Sequence, residues 1–310
     1  MRIVVSEFMD EAAVAALAAR FDVRYAPTLV DRPADLASEV RDADALIVRN
    51  RTRVDAALLA HAARLRVVGR LGVGLDNIDV DACRGRNVTV IPASGANARA
   101  VAEYVIATAL VLLRGAFAST RAVAAGAWPR AALSQGRELA GRTIGLVGFG
   151  GIGRLTGGLA RAMGMQAIGF DPNVPSASSI WSDESTPPRS LPALLAEADV
   201  VSLHVPLTAD TRHLIDAERI AAMKPDAILI NTARGGVVDE RALAEALRAG
   251  RIAGAALDVF EHEPLGAQTP LADCPNLLLT PHIAGVTRES NTRVSALIAA
   301  RVAEVLAAAG

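Results

Sequence analysis

Lysine is almost missing from this chain: Lys224 is the sole lysine among 32 basic residues. An arginine here is therefore ordinary by itself and has to be argued from its setting. Cysteine is equally scarce. Cys83 and Cys274 lie far apart and form no C-x-x-C, which excludes a disulfide framework; both read as small buried hydrophobes in a reduced compartment. Neither sign of charge dominates. A formal net charge of −1 gives no overall field to draw the chain to nucleic acid or an anionic membrane. Long apolar runs are also lacking: Tyr104 to Leu113, the most apolar stretch, is about half the roughly 20 residues a membrane helix needs. The opening Met1-Arg2-Ile3-Val4-Val5-Ser6-Glu7 meets acid too soon for a signal peptide. The expectation is a soluble cytoplasmic protein with neither nucleic acid nor membrane as a partner.

What is present is apolar material in short pieces. The 310 residues are 52% hydrophobic, enough for one large domain or two ordinary ones. Ile3-Val4-Val5 is followed by Val14, Leu17, Ala18 and Phe21 on one helical face, with Asp10 placed to cap it. The alternation continues through Ala45 to Val48, a helix near Ala56 to His61, Val67-Val68, a helix near Val80 to Arg86, and Val88 to Val90. A long helix starts after Asn97. Strands resume at Thr143 to Val147, Ala167 to Phe170, Val200 to Leu203, Ala227 to Ile230, Ala255 to Leu257 and Leu277 to Thr280, before a terminal helix from about Arg288. Unbroken apolar strands alternating with helices indicate α/β architecture with parallel sheets covered on both faces. Two restarts of the pattern imply two doubly wound domains: residues 1–96 with 284–310, and an inserted domain over 97–283, the long helix acting as hinge. Val174 to Pro192, rich in Ser and Pro, reads as a surface loop.

Gly148-Phe149-Gly150-Gly151-Ile152-Gly153 is a G-x-G-x-x-G placed directly between a strand and a helix. Gly148 permits a tight turn, Gly150 lets the backbone approach a pyrophosphate, and Gly153 lets helix and strand pack closely. The unpaired N–H groups of the helix start, Gly151 and Ile152 among them, suit an anion. Asp171, at the end of the next strand and 18 residues after Gly153, can accept both ribose hydroxyls of an adenosine and would repel a 2′-phosphate. This favours NAD over NADP, with Arg154 nearby as the one opposing feature. No metal ligand cluster is expected.

Three polar signatures follow strand candidates: Asn231-Thr232-Ala233-Arg234-Gly235-Gly236, Asp258-Val259-Phe260-Glu261-His262-Glu263-Pro264, and Thr280-Pro281-His282-Ile283-Ala284-Gly285. Taken singly, each has a structural reading: Arg234 a solvated loop residue, Glu263 a strand terminator, His282 a buried histidine satisfied by backbone. Their joint position at strand ends, beside a dinucleotide turn, is what suggests chemistry. His61 and His213 read as ordinary helix and loop residues.

With these motifs, and with Gly72-Val73-Gly74-Leu75-Asp76-Asn77-Ile78-Asp79, the helix opening Asn97 to Glu103, and His204-Val205-Pro206-Leu207-Thr208, the chain resembles the D-isomer-specific 2-hydroxyacid dehydrogenases over nearly its whole length. The resemblance implies an NAD-binding Rossmann domain inserted in a flavodoxin-like substrate domain. It implies that Arg234 binds the substrate carboxylate and polarises the C2 carbonyl, that Glu263 pairs with His282, and that His282 exchanges the proton. It further implies cofactor contacts from the glycine turn, Asp171, His204, Val205, Pro206, Thr211, Thr232, Ala233, Asp258, Ala284 and Gly285, and substrate contacts from Arg49, Asn50, Val73, Gly74 and Asn97. The chemistry is coherent: imidazole, with an ordinary pKa near 6.5, suits proton transfer at neutral pH, and guanidinium matches a carboxylate's planar fork.

Two departures stand out. Asn50 replaces a serine usual in the Arg-Ser-x-Thr segment, and Gly151 replaces a larger or basic side chain that could touch the pyrophosphate. Arg49 and Arg51 would favour a second anionic group on the substrate, such as phosphate, sulfonate or carboxylate; a solvated arginine pair is the competing reading. The chain is expected to lack the C-terminal regulatory domain of some phosphoglycerate dehydrogenases. Closure of the two domains is expected to exclude water, and the long helix to bury against a second subunit in a dimer. The alternative from another class is an NAD(H)-sensing corepressor that keeps the fold without catalysis. A formate dehydrogenase is disfavoured, because that relative places glutamine where Glu263 stands.

Overall fold

Short branched runs such as Ile3-Val4-Val5 are too brief for a helix and become strands whose successive side chains are buried on opposite faces. In the computed structural model, which describes residues 1–308, eleven strands among the described residues form two all-parallel sheets. The chain divides into two compact units, Met1–Asn97 together with the segment from Val286, and Ala98–Gly285.

The first unit holds β1 (Arg2–Val5), β2 (Asp22–Tyr25), β3 (Ala45–Val48), β4 (Val67–Arg70) and β5 (Thr89–Pro92), in the order β2-β1-β3-β4-β5. That is the flavodoxin-like order. The helices between them are α1 (Glu11–Ala18), α2 (Pro33–Glu39), α3 (Ala56–His61) and α4 (Val80–Gly85). Ile3, Val5, Ile47 and Val67 pack on one face against Leu17 of α1 and Ile298 and Val302 of the C-terminal helix. Val4, Leu46, Val48 and Val68 pack on the other face against Leu36, Leu59 and Cys83. Each fully buried Leu, Ile or Val contributes about 1.5–3 kcal/mol, so a two-faced strand is worth more per residue than a solvent-facing one. Asp10 caps α1 as expected, accepting the Ala12 N–H at 3.1 Å.

The second unit opens with α5 (Ala98–Arg114) and continues with α6 (Thr120–Ala124), β6 (Thr143–Val147), α7 (Gly151–Ala162), β7 (Gln166–Phe170), α8 (Ile180–Asp183), α9 (Leu191–Glu197), β8 (Val200–Leu203), α10 (Ala217–Ala221), β9 (Ile228–Asn231), α11 (Glu240–Arg248), β10 (Gly254–Leu257) and β11 (Leu277–Leu279). The sheet order is β11-β10-β9-β8-β6-β7. Strand order therefore reverses between β6 and β8, the kind of switch point where open α/β sheets bind ligands. One face packs on α5 and α7, the other on α9 and α11. The chain ends in α12 (Arg288–Ala308), which belongs to the first unit.

Three details differ from the sequence reading. Strand β2 went unread because it is an edge strand whose residues alternate between exposed and half-buried, so it carries no apolar run. The Ser/Pro stretch 174–192 is not a plain surface loop: it contains α8, and Trp181 there is 4% exposed and stacks on Phe149 with ring centroids 4.4 Å apart. Cys83 is buried, whereas Cys274 is half-buried, with its thiol 3.7 Å from the Pro270 carbonyl.

Candidate active site

In the second sheet the registers align the strand ends. Val147 pairs with Phe170 and Leu203, Leu203 with Asn231, Asn231 with Leu257, and Leu257 with Leu279. These six residues form one row, and every polar signature of this unit follows one of them. The glycine turn follows β6, Asp171 follows β7, His204 to Pro206 follow β8, Thr232 to Arg234 follow β9, Asp258 and Glu263 follow β10, and His282 follows β11.

The turn fits a dinucleotide. Gly148 has φ +96°, and a Cβ on it would lie 2.5 Å from the His204 carbonyl oxygen; one on Gly153 would lie 2.2 Å from the Gly148 carbonyl oxygen. A Cβ on Gly150 or Gly151 would meet nothing within 4 Å, so that side is open. Among the described residues nothing accepts the N–H groups of Gly150, Gly151 and Ile152, which the start of α7 offers to an anion. Asp171 does two jobs. Its Oδ2 accepts the Phe149 N–H at 2.8 Å and its Oδ1 the Asn173 N–H at 2.9 Å, which pins the turn and leaves lone pairs for ribose hydroxyls. Below the turn, the His204 ring lies 3.0 Å from the Ser202 hydroxyl. Burial pushes its pKa down to about 4, so it is a neutral partner at pH 7, although the residue as a whole keeps some accessible surface. Thr232 presents a buried hydroxyl with no protein partner among the described residues. Thr211 closes the loop after β8, donating to the Pro206 carbonyl at 2.6 Å and accepting from Thr208 N–H at 2.7 Å.

On the β9–β10–β11 side the pairing is direct. His282 Nδ1 lies 2.8 Å from Glu263 Oε2, with the two side chains 40% and 34% exposed. Glu263 Oε1 accepts the Phe260 N–H at 3.1 Å. Burial raises the Glu263 pKa, but the His282 bond and charge, the Phe260 N–H and the Arg234 charge outweigh it, leaving the carboxyl below its ordinary value. The ring is therefore held through Nδ1, and Nε2 has no partner among the described residues. Arg234 sits on a loop braced by Asn231, whose amide donates to the Arg234 carbonyl at 3.0 Å and whose Oδ1 accepts the Ala233 N–H at 3.0 Å.

Sequence reasoning gave Asn231 no role, and it missed the loop braces altogether. Glu240 Oε1 accepts the Glu261 N–H at 2.7 Å, and Glu261 Oε1 lies 3.2 Å from His213 Nε2, so His213 and Glu261 help hold the loop that carries Glu263. The buried Asp258 carboxylate accepts the Thr280 hydroxyl and the N–H groups of Ile283 and Ala284. No local signal announces such bracing, because the partners lie tens of residues apart.

In the first unit the residues read as substrate contacts also follow neighbouring strand ends. Arg49 and Asn50 follow β3, Val73 and Gly74 follow β4, and Asn97 follows β5. Glu7, after β1 and 4% exposed, organises the β3 loop: its carboxylate accepts the N–H groups of Arg49, Arg51 and Thr52. Asn77 donates to the Arg49 and Thr52 carbonyls. Arg51 is paired with Asp31. Arg49 is half-buried, donates to Asn291 Oδ1 at 3.1 Å and lies 5.8 Å from the Phe8 ring centroid. Burial lowers its pKa, partly opposed by the Glu7 charge. Among the described residues the N–H groups of Val73 and Gly74 have no acceptor, and the buried Asn97 side-chain oxygen has no partner.

Comparison with known proteins agrees with this arrangement. A family profile described as the NAD binding domain of D-isomer specific 2-hydroxyacid dehydrogenase matches residues 106–284. The (S)-sulfolactate dehydrogenase of Chromohalobacter salexigens is 56% identical over 293 residues, 94% of each chain. The D-3-phosphoglycerate dehydrogenase of Mycobacterium leprae is 39% identical over 307 residues, which is 98% of this chain but 57% of the relative. Among solved structures, the TT0316 protein from Thermus thermophilus superposes with a TM-score of 0.90 at 36% identity, covering 99% of this chain and 97% of that one.

Proposed function

The chain belongs to the D-isomer specific 2-hydroxyacid dehydrogenase family, and from that premise we propose that it exchanges a hydride between NAD and C2 of a small 2-hydroxy acid. The observation that carries this reading is the 2.8 Å His282–Glu263 pair on the same row of strand ends as the open glycine turn. NAD supplies the hydride acceptor, or in its reduced form the donor, that neither imidazole nor carboxylate can provide. His282 gives a proton from Nε2 to the substrate oxygen during reduction and takes it back during oxidation. Glu263 fixes the ring through Nδ1 and stabilises its protonated form. Arg234 receives the substrate carboxylate and draws electron density from the carbonyl. The N–H groups of Val73 and Gly74, without an acceptor among the described residues, suit an anionic group of the substrate.

The substrate class we propose carries a second anion, a sulfonate by analogy with the sulfolactate relative. Arg49 supports this: its guanidinium is half-buried and, among the described residues, has a single neutral hydrogen-bond acceptor, a setting that favours an incoming anion. Arg51, already paired with Asp31, is a weaker candidate. The test is NADH oxidation with 3-sulfopyruvate, 3-phosphohydroxypyruvate, hydroxypyruvate, glyoxylate and 2-oxoglutarate. Sulfopyruvate should give the highest kcat/KM, and Arg49→Ala should lower that value at least about tenfold more for sulfopyruvate than for glyoxylate. Reduction of none of the five would replace catalysis with the corepressor-type reading.

A cytoplasmic homodimer completes the proposal. Among the described residues no single helix is long and apolar enough to cross a membrane. Most of α5 is already buried, so a partner surface is better sought in the segment after it, where Phe117 and Trp128 are 63% and 78% exposed.

A further inference from the structure

The backbone at His282 is left-handed, with φ 55°, a region that a non-glycine residue occupies at some cost unless its surroundings hold it there. The residue that holds it is Asp258. Its carbonyl accepts the His282 N–H at 2.8 Å, and its carboxylate accepts the N–H groups of Ile283 and Ala284, each at 2.8 Å. The Thr280 hydroxyl is a third donor, 2.6 Å from Asp258 Oδ1. A hydroxyl has one proton, and here it points to the carboxylate. The other contact of Thr280 Oγ1, 2.6 Å from the Tyr104 hydroxyl, must then be donated by the tyrosine. Burial pushes the Tyr104 phenol up, the Asp258 charge adds to this and the Thr280 bond opposes it; the net direction keeps the phenol protonated and a donor at neutral pH.

Tyr104 in α5 thus donates to Thr280 and Thr280 donates to Asp258, while the N–H groups of His282, Ile283 and Ala284 donate to Asp258 from the other side. We propose that Tyr104, acting through Thr280 and Asp258, is a positioning residue that fixes the left-handed turn at His282 and so aims its imidazole. The proposal rests on His282 being the proton-transferring group. The Tyr104 and Thr280 hydroxyls are polarised in series, and the Thr280 bond fixes the orientation of the carboxylate on which the Ile283 and Ala284 N–H groups converge. Removing the first donor frees the Thr280 hydroxyl to rotate, loosens one of the three donors on the carboxylate, and lets the turn drift.

The test uses Tyr104→Phe, which keeps the ring and removes the donor, Thr280→Val, which keeps the shape and cuts both links, and Thr280→Ser, which restores both. Amide hydrogen exchange at Ile283 and Ala284, read with NADH bound and no substrate, should quicken in Tyr104→Phe and Thr280→Val and return to the wild-type rate in Thr280→Ser. With 3-sulfopyruvate, kcat should fall about 10- to 100-fold in the first two variants, the scale of a misplaced catalytic group, while KM for NADH stays as in the wild type. Unchanged exchange in both variants would overturn the proposal, as would a kcat loss that Thr280→Ser fails to restore. A wild-type protein that reduces no 2-keto acid would instead overturn the dehydrogenase reading; the exchange rates, which need no substrate, would still decide whether Tyr104 holds the turn.

Discussion

Alanine at Gly153 should separate two helix glycines that look alike in the sequence. A Cβ on Gly153 would lie 2.2 Å from the Gly148 carbonyl oxygen, whereas one on Gly158 meets only Arg161 Nη2, at 3.9 Å. Real Cβ contacts essentially never fall below 3.0 Å, so in Gly153→Ala the helix and the turn must part by about 0.8 Å. The obstacle is backbone, and the turn is itself pinned by the 2.7 Å bond from Gly148 N–H to the Phe170 carbonyl. Overpacking of this kind costs about 1–3 kcal/mol, against which the better helix propensity of alanine returns at most about 1 kcal/mol. The same displacement carries the free N–H groups away from the pyrophosphate. Losing a single hydrogen bond to a charged group, worth about 1.5–3 kcal/mol, raises the NADH Kd at least about tenfold. Fluorescence titration with NADH and denaturant unfolding of Gly153→Ala, with Gly158→Ala as control, measure both effects. The control should bind NADH like the wild type and gain up to about 1 kcal/mol. If Gly153→Ala binds NADH as tightly as the control and unfolds no earlier, the packing argument for this turn is wrong.

His282→Ala should lower turnover about 10²- to 10⁴-fold with NADH affinity largely kept; steady-state kinetics beside a binding titration check this, and wild-type turnover would remove His282 from proton transfer. Asp171→Asn keeps an oxygen for the Phe149 N–H and removes the charge that repels a 2′-phosphate, so the ratio of kcat/KM for NADH over NADPH should drop; an unchanged ratio would put the discrimination elsewhere. Acid should destabilise the fold through His204. Its folded pKa of about 4 lies below the ordinary 6.5, so the unfolded chain takes up the proton first, and stability is lost as pH falls from 6.5 toward 4. From pH 7 to pH 5 the loss should be about 2 kcal/mol, read by urea unfolding against His204→Gln, whose loss over the same interval should be smaller by about that amount.

Much of this arrangement was legible before any coordinates. Strands such as Ala45 to Val48 announce themselves because burial on both sheet faces disfavours polar residues in them, and the polar signatures begin at or just after the strand ends. The edge strand β2 is under no such rule and left no mark. Trp181 sat unread among serines and prolines because its partner, Phe149, is 32 residues away. The bracing of the loops was invisible for the same reason. Asp258, Thr280 and Tyr104 are each unexceptional in a local window, and only folding brings the three hydroxyl and carboxyl groups within 2.6 Å of one another in series. Glu7 is the counterpart in the first unit: a lone acid after a strand, whose three N–H donors come from a loop more than 40 residues on.

The stacking of Trp181 on Phe149 equips the protein with its own optical gauge. Of its two indoles, one stands in solvent at position 128 and the other is sealed at position 181 against the glycine turn. Collisional quenchers added to the buffer will silence the first and spare the second, so the surviving emission comes from beside the dinucleotide site. Energy passed from that indole to a reduced nicotinamide would then report occupancy of the turn in real time, with no label attached.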